Sequence, residues 1–493
     1  MKRFGILIVV LSLGMLLLPQ DGYCLDKFFV GSRALGMAGA NVASVNDNSA
    51  QYYNPAAFGF FGYGKGPGDS RPEVDNNNLA ARHWRVSAEA GMGIRLHENL
   101  AKLLDELSDI ETADLGDGIA DEEALQNLVK VSNILGQLDK EGNALTLDSN
   151  GGFSVGVGHF AIGGYLFLQG NARVTEVDTV NLGFDDALGD IFSDINAITP
   201  AGFDDTVALF SAEQQVQLDA AGFDADAIKR LDYMARQEGI SGADLQGAVD
   251  ILETIGTASS GSNTLEDNQT AAELRGFGLA EVPISYGWAL SDNLAIGANV
   301  KAMRGRVYAQ EVVVFDTESG DLLDDLKNDY SETTTFGVDL GVLYRMHNVQ
   351  MGLVARNVNA PKFDGPTVSG RRYEDVKVDP SFTAGVAYIP SEGFTLEIDY
   401  DLTKNKTVYP GYDTQYLSLG AEWMVLRMLA LRGGVYRNQA ESDIGWVYTA
   451  GLGLRLVGVQ LDIAGAMSAD RGEFDGDKFP VEARGIVKLT IGF

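Results

Sequence analysis

The sequence predicts an all-β membrane protein, a closed antiparallel barrel of about fourteen strands with an N-terminal plug and helical extracellular insertions. Three observations lead to this prediction. Long stretches alternate between apolar and polar residues, the connections between them are short and long in turn, and the chain opens with an export-type leader. The barrel is therefore expected in the outer membrane of a Gram-negative bacterium, with the long connections facing outward.

Composition fits a finely patterned chain. The 493 residues are 45% hydrophobic, yet the mean hydropathy is -0.03, and 59 glycines far outnumber 12 prolines. Apolar and polar side chains must therefore alternate at short range. The formal net charge of -32 argues against nucleic acid as a partner, because phosphate binding needs clustered Lys and Arg.

The N-terminal segment has the features of a cleavable signal peptide. Lys2 and Arg3 form a basic start, and an apolar run follows over residues 4–18. This run is short for a membrane-spanning helix, which needs roughly 20 residues. Cleavage is predicted after Cys24, so that residues 1–24 are removed and the mature chain contains no cysteine. The alternative is that Cys24 is a lipoprotein cysteine, although the residues before it fit that pattern badly.

The strand pattern is clearest near residue 398. Phe394, Ile398 and Leu402 share one predicted face of a strand, and Glu397 and Asp399 share the other. Such runs often reach ten residues, which is longer than most strands of soluble sandwiches and suits a tilted strand that crosses a bilayer. Fourteen runs are predicted, at 85–96, 151–158, 160–174, 276–290, 293–309, 333–345, 348–359, 380–389, 393–403, 413–424, 427–438, 445–456, 458–469 and 482–493.

The lengths of the connections alternate along the chain. Every second connection is a tight turn, as at Ser291-Asp292, Met346-His347 and 390–393, whereas the others are long or variable. Outer-membrane barrels have short periplasmic turns and longer outer loops. A soluble protein has no reason to sort its loops in this way, so the alternation favours a membrane barrel.

Two long insertions carry most of the acidity. Residues 97–150 hold 13 Asp/Glu against 3 Lys/Arg, and residues 175–275 hold 20 against 4. Leucines recur at helical spacing in the first insertion, and Ser211 with Gln214 forms a predicted capping box in the second. The acidity is interpreted as a solvated surface, since no segment has the spacing of a calcium-binding loop.

The predicted inner faces of the strands carry charges of both signs, among them Arg345, Arg432 and Arg455, which suits a polar lumen. The chain ends on an alternating strand with Phe493. A C-terminal aromatic residue is a feature that barrel-assembly machinery is thought to recognise. This machinery and outer-membrane lipid are therefore the expected partners.

Residues 25–84 do not alternate and precede the barrel at 85–493, so they are predicted to form a plug. They contain a small-residue stretch with Gly36 and Gly39, and later Asn54-Pro55-Ala56. Small residues allow tight packing inside a lumen, and Asn with Pro fixes a turn. This pattern resembles the hatch of the FadL/TodX family of outer-membrane transporters for hydrophobic compounds. The acidic insertions look more like its TraF-type branch, which is named for plasmid conjugation genes.

The resemblance implies a route for hydrophobic compounds that leaves sideways through a kink in the third strand. The third predicted run contains Gly163, Gly164 and Gly170. Glycine permits a bulge and cannot fill the wall, so these residues are the predicted lateral opening.

Two functions stay open at this point. The first is passive transport of hydrophobic small molecules, which an apolar groove between the helical insertions would favour. The second is a structural or interaction protein that supports export, conjugation or surface assembly, which a polar and tightly filled lumen would favour. The sequence has four histidines and no H-E-x-x-H, G-x-S-x-G or P-loop pattern, so no enzyme, metal site or cofactor is expected.

Overall fold

The structure is a computed structural model. It describes residues 26–61, 79, 82–98, 100, 102, 103, 106, 119–138, 142–178, 191–240, 242, 244–257, 269–313, 329–391, 393–409, 411–426, 428–474 and 477–493. The predicted signal peptide lies outside these residues, as do residues 62–78 of the predicted plug and parts of both insertions.

Fourteen strands form one closed antiparallel barrel, which confirms the predicted fold class. Each strand pairs with the next, and the last pairs with the first from Arg85–Gly492 to Arg95–Glu482. Closure leaves no free strand edge, which is what hydrocarbon requires of a spanning sheet. The strands are β1 (Trp84–His97), β2 (Ala144–Val157), β3 (Phe160–Glu176), β4 (Ala271–Ala289), β5 (Leu294–Val313), β6 (Tyr330–Met346), β7 (Val349–Arg356), β8 (Ser381–Ser391), β9 (Phe394–Asp401), β10 (Tyr416–Val425), β11 (Leu429–Asn438), β12 (Val447–Leu456), β13 (Val459–Ser468) and β14 (Glu482–Gly492).

The two faces of the wall differ in polarity, as the alternation predicts. On β9, Phe394 and Ile398 are exposed on the outside, whereas Glu397 and Asp399 are buried inside the barrel. Trp288, Trp423 and Trp446 are all exposed, the first two at the ends of β4 and β10 and the third just before β12, where membrane interfaces favour tryptophan. The outside of the barrel is therefore suited to lipid and the inside to polar contacts.

The strand boundaries of the two insertions differ from the prediction. β2 begins at Ala144, so the first insertion ends earlier than residue 150, and β4 begins at Ala271 rather than 276. Both extensions alternate, but their inward positions include Asp148 and Glu273. These acidic residues made the segments look like parts of the acidic insertions. They are instead buried inside the barrel, where arginines pair with them.

The insertions between β1 and β2 and between β3 and β4 form a helical cap at the end of the barrel that carries the long loops. Its helices share one hydrophobic core, which also packs on Leu96, Leu145 and Val174 at the barrel rim. The predicted capping box of Ser211 and Gln214 is confirmed. The described helices of the cap are α3 (Glu122–Leu138), α4 (Ile191–Ala197), α5 (Ala212–Ala220), α6 (Ala225–Gln237) and α7 (Leu245–Thr257), numbered after two helices of the plug.

Two glycines let the longest cap helices touch. Gly136 of α3 lies against Gly247 of α7 so closely that a Cβ on either would collide with the backbone of the other. Buried Asp232 of α6 accepts hydrogen bonds from the backbone N–H groups of residues 208–210, and so fixes the chain ahead of α5. Within the described part of the chain, no helix has the length and apolar character needed to cross a membrane.

The remaining described loops contain short two-stranded ladders. They pair Lys362–Phe363 with Val376–Lys377, Thr367–Val368 with Arg371–Arg372, Asn405–Lys406 with Asp413–Thr414, and Arg471–Phe474 with Asp477–Pro480.

Candidate functional site: the plugged lumen

The N-terminal segment fills the inside of the barrel. All residues of 26–61 are buried except Asn46 and Tyr52, which are half-buried. The segment starts in the outer half, where Lys27 Nζ lies 2.9 Å from Asp401 Oδ1 at the outer end of β9. It ends beside the tight turns, where the ring of Phe60 lies 4.0 Å from the Arg345 guanidinium. The lumen is therefore closed along most of its length.

The plug contains two short helices and a 3₁₀ turn. They are α1 (Ser32–Gly36), α2 (Ala50–Tyr53) and the 3₁₀ helix Pro55–Phe60. Gly36 ends α1 against Arg432 and Gly451 of the wall, and Gly39 has a φ of +87°, a conformation that favours glycine.

Asn54 fixes the predicted Asn54-Pro55-Ala56 turn. Its Oδ1 accepts a hydrogen bond from the N–H of Ala56 at 3.1 Å. Its Nδ2 donates to the carbonyls of Val42 in the plug and Val342 in β6, at 3.0 and 3.1 Å. One side chain therefore ties the turn to itself, to a second plug segment and to the wall.

Inward-facing glycines let the plug backbone lie directly on the wall. At each of eight glycines on eight different strands, an added Cβ would come within 3.2 Å of a backbone atom of the plug. We call these eight residues the glycine belt. Some of them lie directly opposite each other on neighbouring strands, as Gly287 does with Gly297 and Gly297 with Gly341. The belt consists of Gly287, Gly297, Gly341, Gly352, Gly385, Gly420, Gly434 and Gly451.

On β9 two carboxylates replace glycine as the contact with the plug. Asp399 Oδ2 accepts the N–H groups of Asn41 and Val42 at 2.8 and 2.9 Å. Glu397 Oε1 accepts the N–H of Ala43 at 2.6 Å. These carboxylates satisfy main-chain donors of the plug that would otherwise be buried without partners.

Ion pairs join the plug to the wall beside β9, on β10, β11 and β13. Arg33 of α1 lies 3.1 Å from Glu422, and Arg432 lies 2.6 Å from both Glu422 and Asp462. The three arginines predicted to line the lumen therefore lie inside, and each has a partner. Arg432 forms the ion pairs just described, Arg455 donates a hydrogen bond to Gln460 at 2.9 Å, and Arg345 lies against the Phe60 ring.

A second ion pair lies at the seam where the barrel closes. Lys488 of β14 lies 3.0 Å from Asp47 of the plug and 3.4 Å from Glu89 of β1. All three side chains are nearly inaccessible to solvent. Lys488 therefore connects the first strand, the last strand and the plug.

The outer end of this seam is closed by a smaller cluster. His97 hydrogen-bonds to Asp443 of the loop between β11 and β12 and to Thr146 of β2, both at 2.9 Å. Burial alone would raise the pKa of Asp443, but the hydrogen bond with His97 and the backbone N–H of Ile444 lower it below its ordinary value.

A cavity of about 50 Å³ remains between the plug and the wall of β3 to β7. Its lining combines the aromatic rings of Phe28, Tyr52 and Phe167 with Lys301, Arg356 and nearby carboxylates. Lys301 lies 3.2 Å from Asp339, and the Arg356 guanidinium lies 4.5 Å from the Tyr52 ring. Loop residues Val378 and Asp379 complete the cavity, so it extends towards the end with the long loops.

The predicted lateral opening lies beside this cavity. Gly163 faces inward next to Gln51, whereas Gly164 and Gly170 face outward. β3 keeps one register with β4 from Phe160 to Val174, so no bulge interrupts the strand at Gly163 and Gly164. The pairing of β3 with β4 is nevertheless interrupted between the Ile162–Ile284 pair and the Tyr165–Glu281 pair. Gly163 and Gly164, which lie opposite Pro283 and its neighbour, are not paired with β4. The lateral opening itself stays a prediction.

The C-terminal residue lies at the end with the tight turns. Phe493 is 69% exposed, and its backbone pairs with Trp84 through hydrogen bonds of 2.9 and 3.2 Å. The terminal ring therefore stands on the lipid-facing side of the seam. Its recognition by assembly machinery stays a prediction.

Sequence reasoning identified the lumen charges and the plug motif but not their partners. Arg33 and Glu422 are 389 positions apart, and Lys488 and Asp47 are 441 positions apart. The alternation places a charge inside the barrel, but it does not reveal which plug residue it meets. Leu279 and Lys301 of the cavity were likewise not singled out.

The fold and the filled lumen define a plugged transmembrane β-barrel. The sequence model of the family described as "F plasmid transfer operon, TraF, protein" matches residues 51–401, and the chain belongs to this family. The TraF-type relationship predicted from the sequence is thereby confirmed. Comparison with curated proteins finds no match.

Solved structures of similar architecture include two toluene transporters and a FadL homologue. The toluene transporter TbuX of Ralstonia pickettii shares 12% identity, with 95% of this chain and 99% of that chain covered and a TM-score of 0.45. The toluene transporter TodX of Pseudomonas putida shares 10% identity, with 95% and 98% covered and a TM-score of 0.43. A FadL homologue of Pseudomonas aeruginosa shares 12% identity, with 95% and 99% covered and a TM-score of 0.42.

Proposed function

We propose that the protein is an outer-membrane transporter for small molecules with an apolar part, and that the cavity is its entry site. The observation that carries this proposal is the make-up of the cavity, which combines aromatic rings with charged side chains. Such sites bind the apolar part of a ligand by burial and orient it through a few polar groups. Toluene, the compound named for TbuX and TodX, is a suitable first compound to test.

The closed lumen restricts the route that a ligand can take. The cavity has room for only a few water molecules, since each needs about 10–15 Å³ by this measure. Below it the plug backbone contacts the glycine belt, so direct passage to the tight-turn end would require the plug to detach from several strands. The unpaired step of β3 at Gly163 and Gly164 lies beside the cavity, and it is the place in the wall through which we propose that ligand leaves.

A disulfide across this step tests the route. Gly164→Cys with Val282→Cys places cysteines on opposite outward positions of β3 and β4, and the predicted mature chain contains no other cysteine. Uptake of the hydrophobic probe 1-N-phenylnaphthylamine by cells should fall when the pair is oxidised and recover when it is reduced. The matched control is Leu452→Cys with Ile463→Cys, a directly paired outward position on β12 and β13.

The outcome separates the route from the function. Equal uptake by the oxidised and reduced forms would reject the lateral route. If cells with the unaltered protein take up no more probe than cells without it, the transport proposal itself fails. Folding of each variant is checked by the shift of the unheated barrel in SDS gel electrophoresis.

A second candidate function is that of a surface interaction protein, and the cap and the filled lumen favour it. The cap has its own hydrophobic core, and residues 191–257 hold 12 Asp/Glu against 3 Lys/Arg. The lumen is also polar and filled, which favours a structural or interaction protein over a transporter. The family description refers to a plasmid transfer operon, so a role at cell contact is the form to test. Deletion of residues 191–257 should then abolish that role and leave probe uptake unchanged.

A further inference from the structure

The outer face of the barrel is almost free of charge. Among outward-facing residues of the fourteen strands whose side chains the structure describes, only four are charged. Arg437 stands alone on β11, whereas Arg304 and Arg306 of β5 and Glu332 of β6 lie together. A pair of arginines on a lipid-facing wall is costly unless an anion meets it.

The two arginines share a single carboxylate. Arg304 Nη2 lies 2.5 Å from Glu332 Oε1, and Arg306 Nε lies 2.8 Å from Glu332 Oε2. The side chains of Arg304 and Arg306 are still 59% and 44% exposed. Arg306 also lies 4.7 Å from the Tyr330 ring. The cluster therefore keeps a net positive charge, and both arginines stay partly accessible to an external group, on a protein whose formal net charge is -32.

A glycine-floored depression adjoins these arginines. Gly170 of β3 pairs with Gly276 of β4, and Gly278 of β4 pairs with Arg306 of β5. All three glycines face outward. An added Cβ would meet nothing nearer than 3.9 Å at Gly170 and 3.4 Å at Gly276, and at Gly278 its nearest neighbour would be the Leu168 side chain at 3.2 Å. The floor of the depression is therefore open except beside Leu168. Its shape suits an extended hydrocarbon chain lying against the wall.

The height of the cluster matches a lipid headgroup. Arg304 is ten residues beyond Leu294, the first residue of β5 at the tight-turn end. With a rise of about 3.3 Å per residue and a tilt of about 40°, this places Arg304 roughly 25 Å above that end. The apolar band of such barrels is about 25 Å tall, so the arginines stand at its outer edge.

We infer that this surface is a binding site for lipid A of lipopolysaccharide. A lipid A phosphate is held by Arg304 and Arg306, and one acyl chain lies over Gly170, Gly276 and Gly278. Arginine binds phosphate through paired, charge-assisted hydrogen bonds, and the glycines leave room for the chain. We favour lipid A over other anions because the arginines lie at the outer edge of the apolar band, which is where the phosphates of lipid A lie in an outer membrane.

Binding can be measured on the purified full-length barrel in detergent, by native mass spectrometry with lipid A added. The change is Arg304→Gln together with Arg306→Gln, which should weaken binding about tenfold or more, since charged hydrogen bonds are lost. The matched control is Arg437→Gln, which removes the other outward arginine and should leave binding unchanged. Dephosphorylated lipid A should bind the unaltered protein as weakly as lipid A binds the double variant.

The acyl-chain contact has its own variant. Gly276→Leu fills the depression and should weaken lipid A binding without changing the fold, because its Cβ meets only ordinary contacts. Its control is Gly485→Leu, an outward glycine of β14 whose added Cβ has nothing within 4 Å. Folding is confirmed by the gel shift of the unheated barrel.

Three results would overturn the inference. The first is unchanged lipid A binding by the double variant. The second is an equal loss in the Arg437→Gln control, which would indicate attraction by charge alone. The third is competition by inorganic phosphate, or equally tight binding of phosphatidylglycerol, which would indicate a general anion or phospholipid site.

Discussion

Replacing Lys488 with methionine should destabilise the barrel strongly, because it leaves two buried carboxylates without their cation. Lys488 Nζ lies 3.0 Å from Asp47 and 3.4 Å from Glu89, and its own side chain is 1% exposed. At an effective dielectric of about 20 each attraction is roughly 5 kcal/mol before the cost of desolvation. Removing one partner of a buried pair typically costs about 3–5 kcal/mol. We expect a loss of that size in the free energy of unfolding for Lys488→Met.

The assay is urea unfolding of the purified barrel in detergent, followed by tryptophan fluorescence. Lys478→Met is the matched control, because Lys478 is 68% exposed, lies 3.5 Å from Glu473, and should cost less than about 1 kcal/mol. Adding Asp47→Asn and Glu89→Gln to Lys488→Met should recover part of the loss, since no unpaired charge then remains. A loss below about 1 kcal/mol for Lys488→Met, or no recovery in the triple variant, would refute the reasoning.

Three further predictions follow from the plug and the cap. Gly297→Leu should push the plug off the wall and let small polar antibiotics leak into cells, whereas Gly465→Leu, on the outer face, should not. Equal antibiotic sensitivity of the two strains would contradict this. Protease added to whole cells should cut first within the cap, at 98–143 or 177–270, and cleavage only after permeabilisation of the outer membrane would contradict the orientation. Asp232→Ala removes the acceptor of three backbone N–H groups and should cost the cap about 1–3 kcal/mol, measured as faster proteolysis of the cap with the barrel intact.

The fold could be predicted because a bilayer imposes a simple rule on every strand. Outward residues are predominantly apolar because they face lipid, so Phe394, Ile398 and their counterparts reveal the strands by local spacing alone. The same rule located Arg345, Arg432 and Arg455 on the inside. It failed at the start of β2, where the inward Asp148 resembles the acidic insertion that precedes it.

The contacts of the plug could not be predicted, because they join residues that are distant in the sequence. Eight of the 59 glycines form the belt. The alternation places Gly297 inside the barrel and Gly465 outside, but it does not show which inward glycines lie against the plug backbone. The cavity likewise combines Phe28, Phe167 and Lys301, which belong to the plug and to two different strands.

The glycine belt also constrains the order in which this protein can assemble. On eight strands between β4 and β12, the plug backbone lies so close to a glycine that a Cβ there would crowd it. On β9, two carboxylates hold the plug instead. A plug that contacts the wall this closely on so many strands cannot slide into a finished barrel, because all of these contacts would obstruct it at the same time. We therefore expect the strands to gather around the plug before the barrel closes. The plug then acts as a template for the wall, and Lys488 joins the plug at Asp47 and the first strand at Glu89 when the closure is complete.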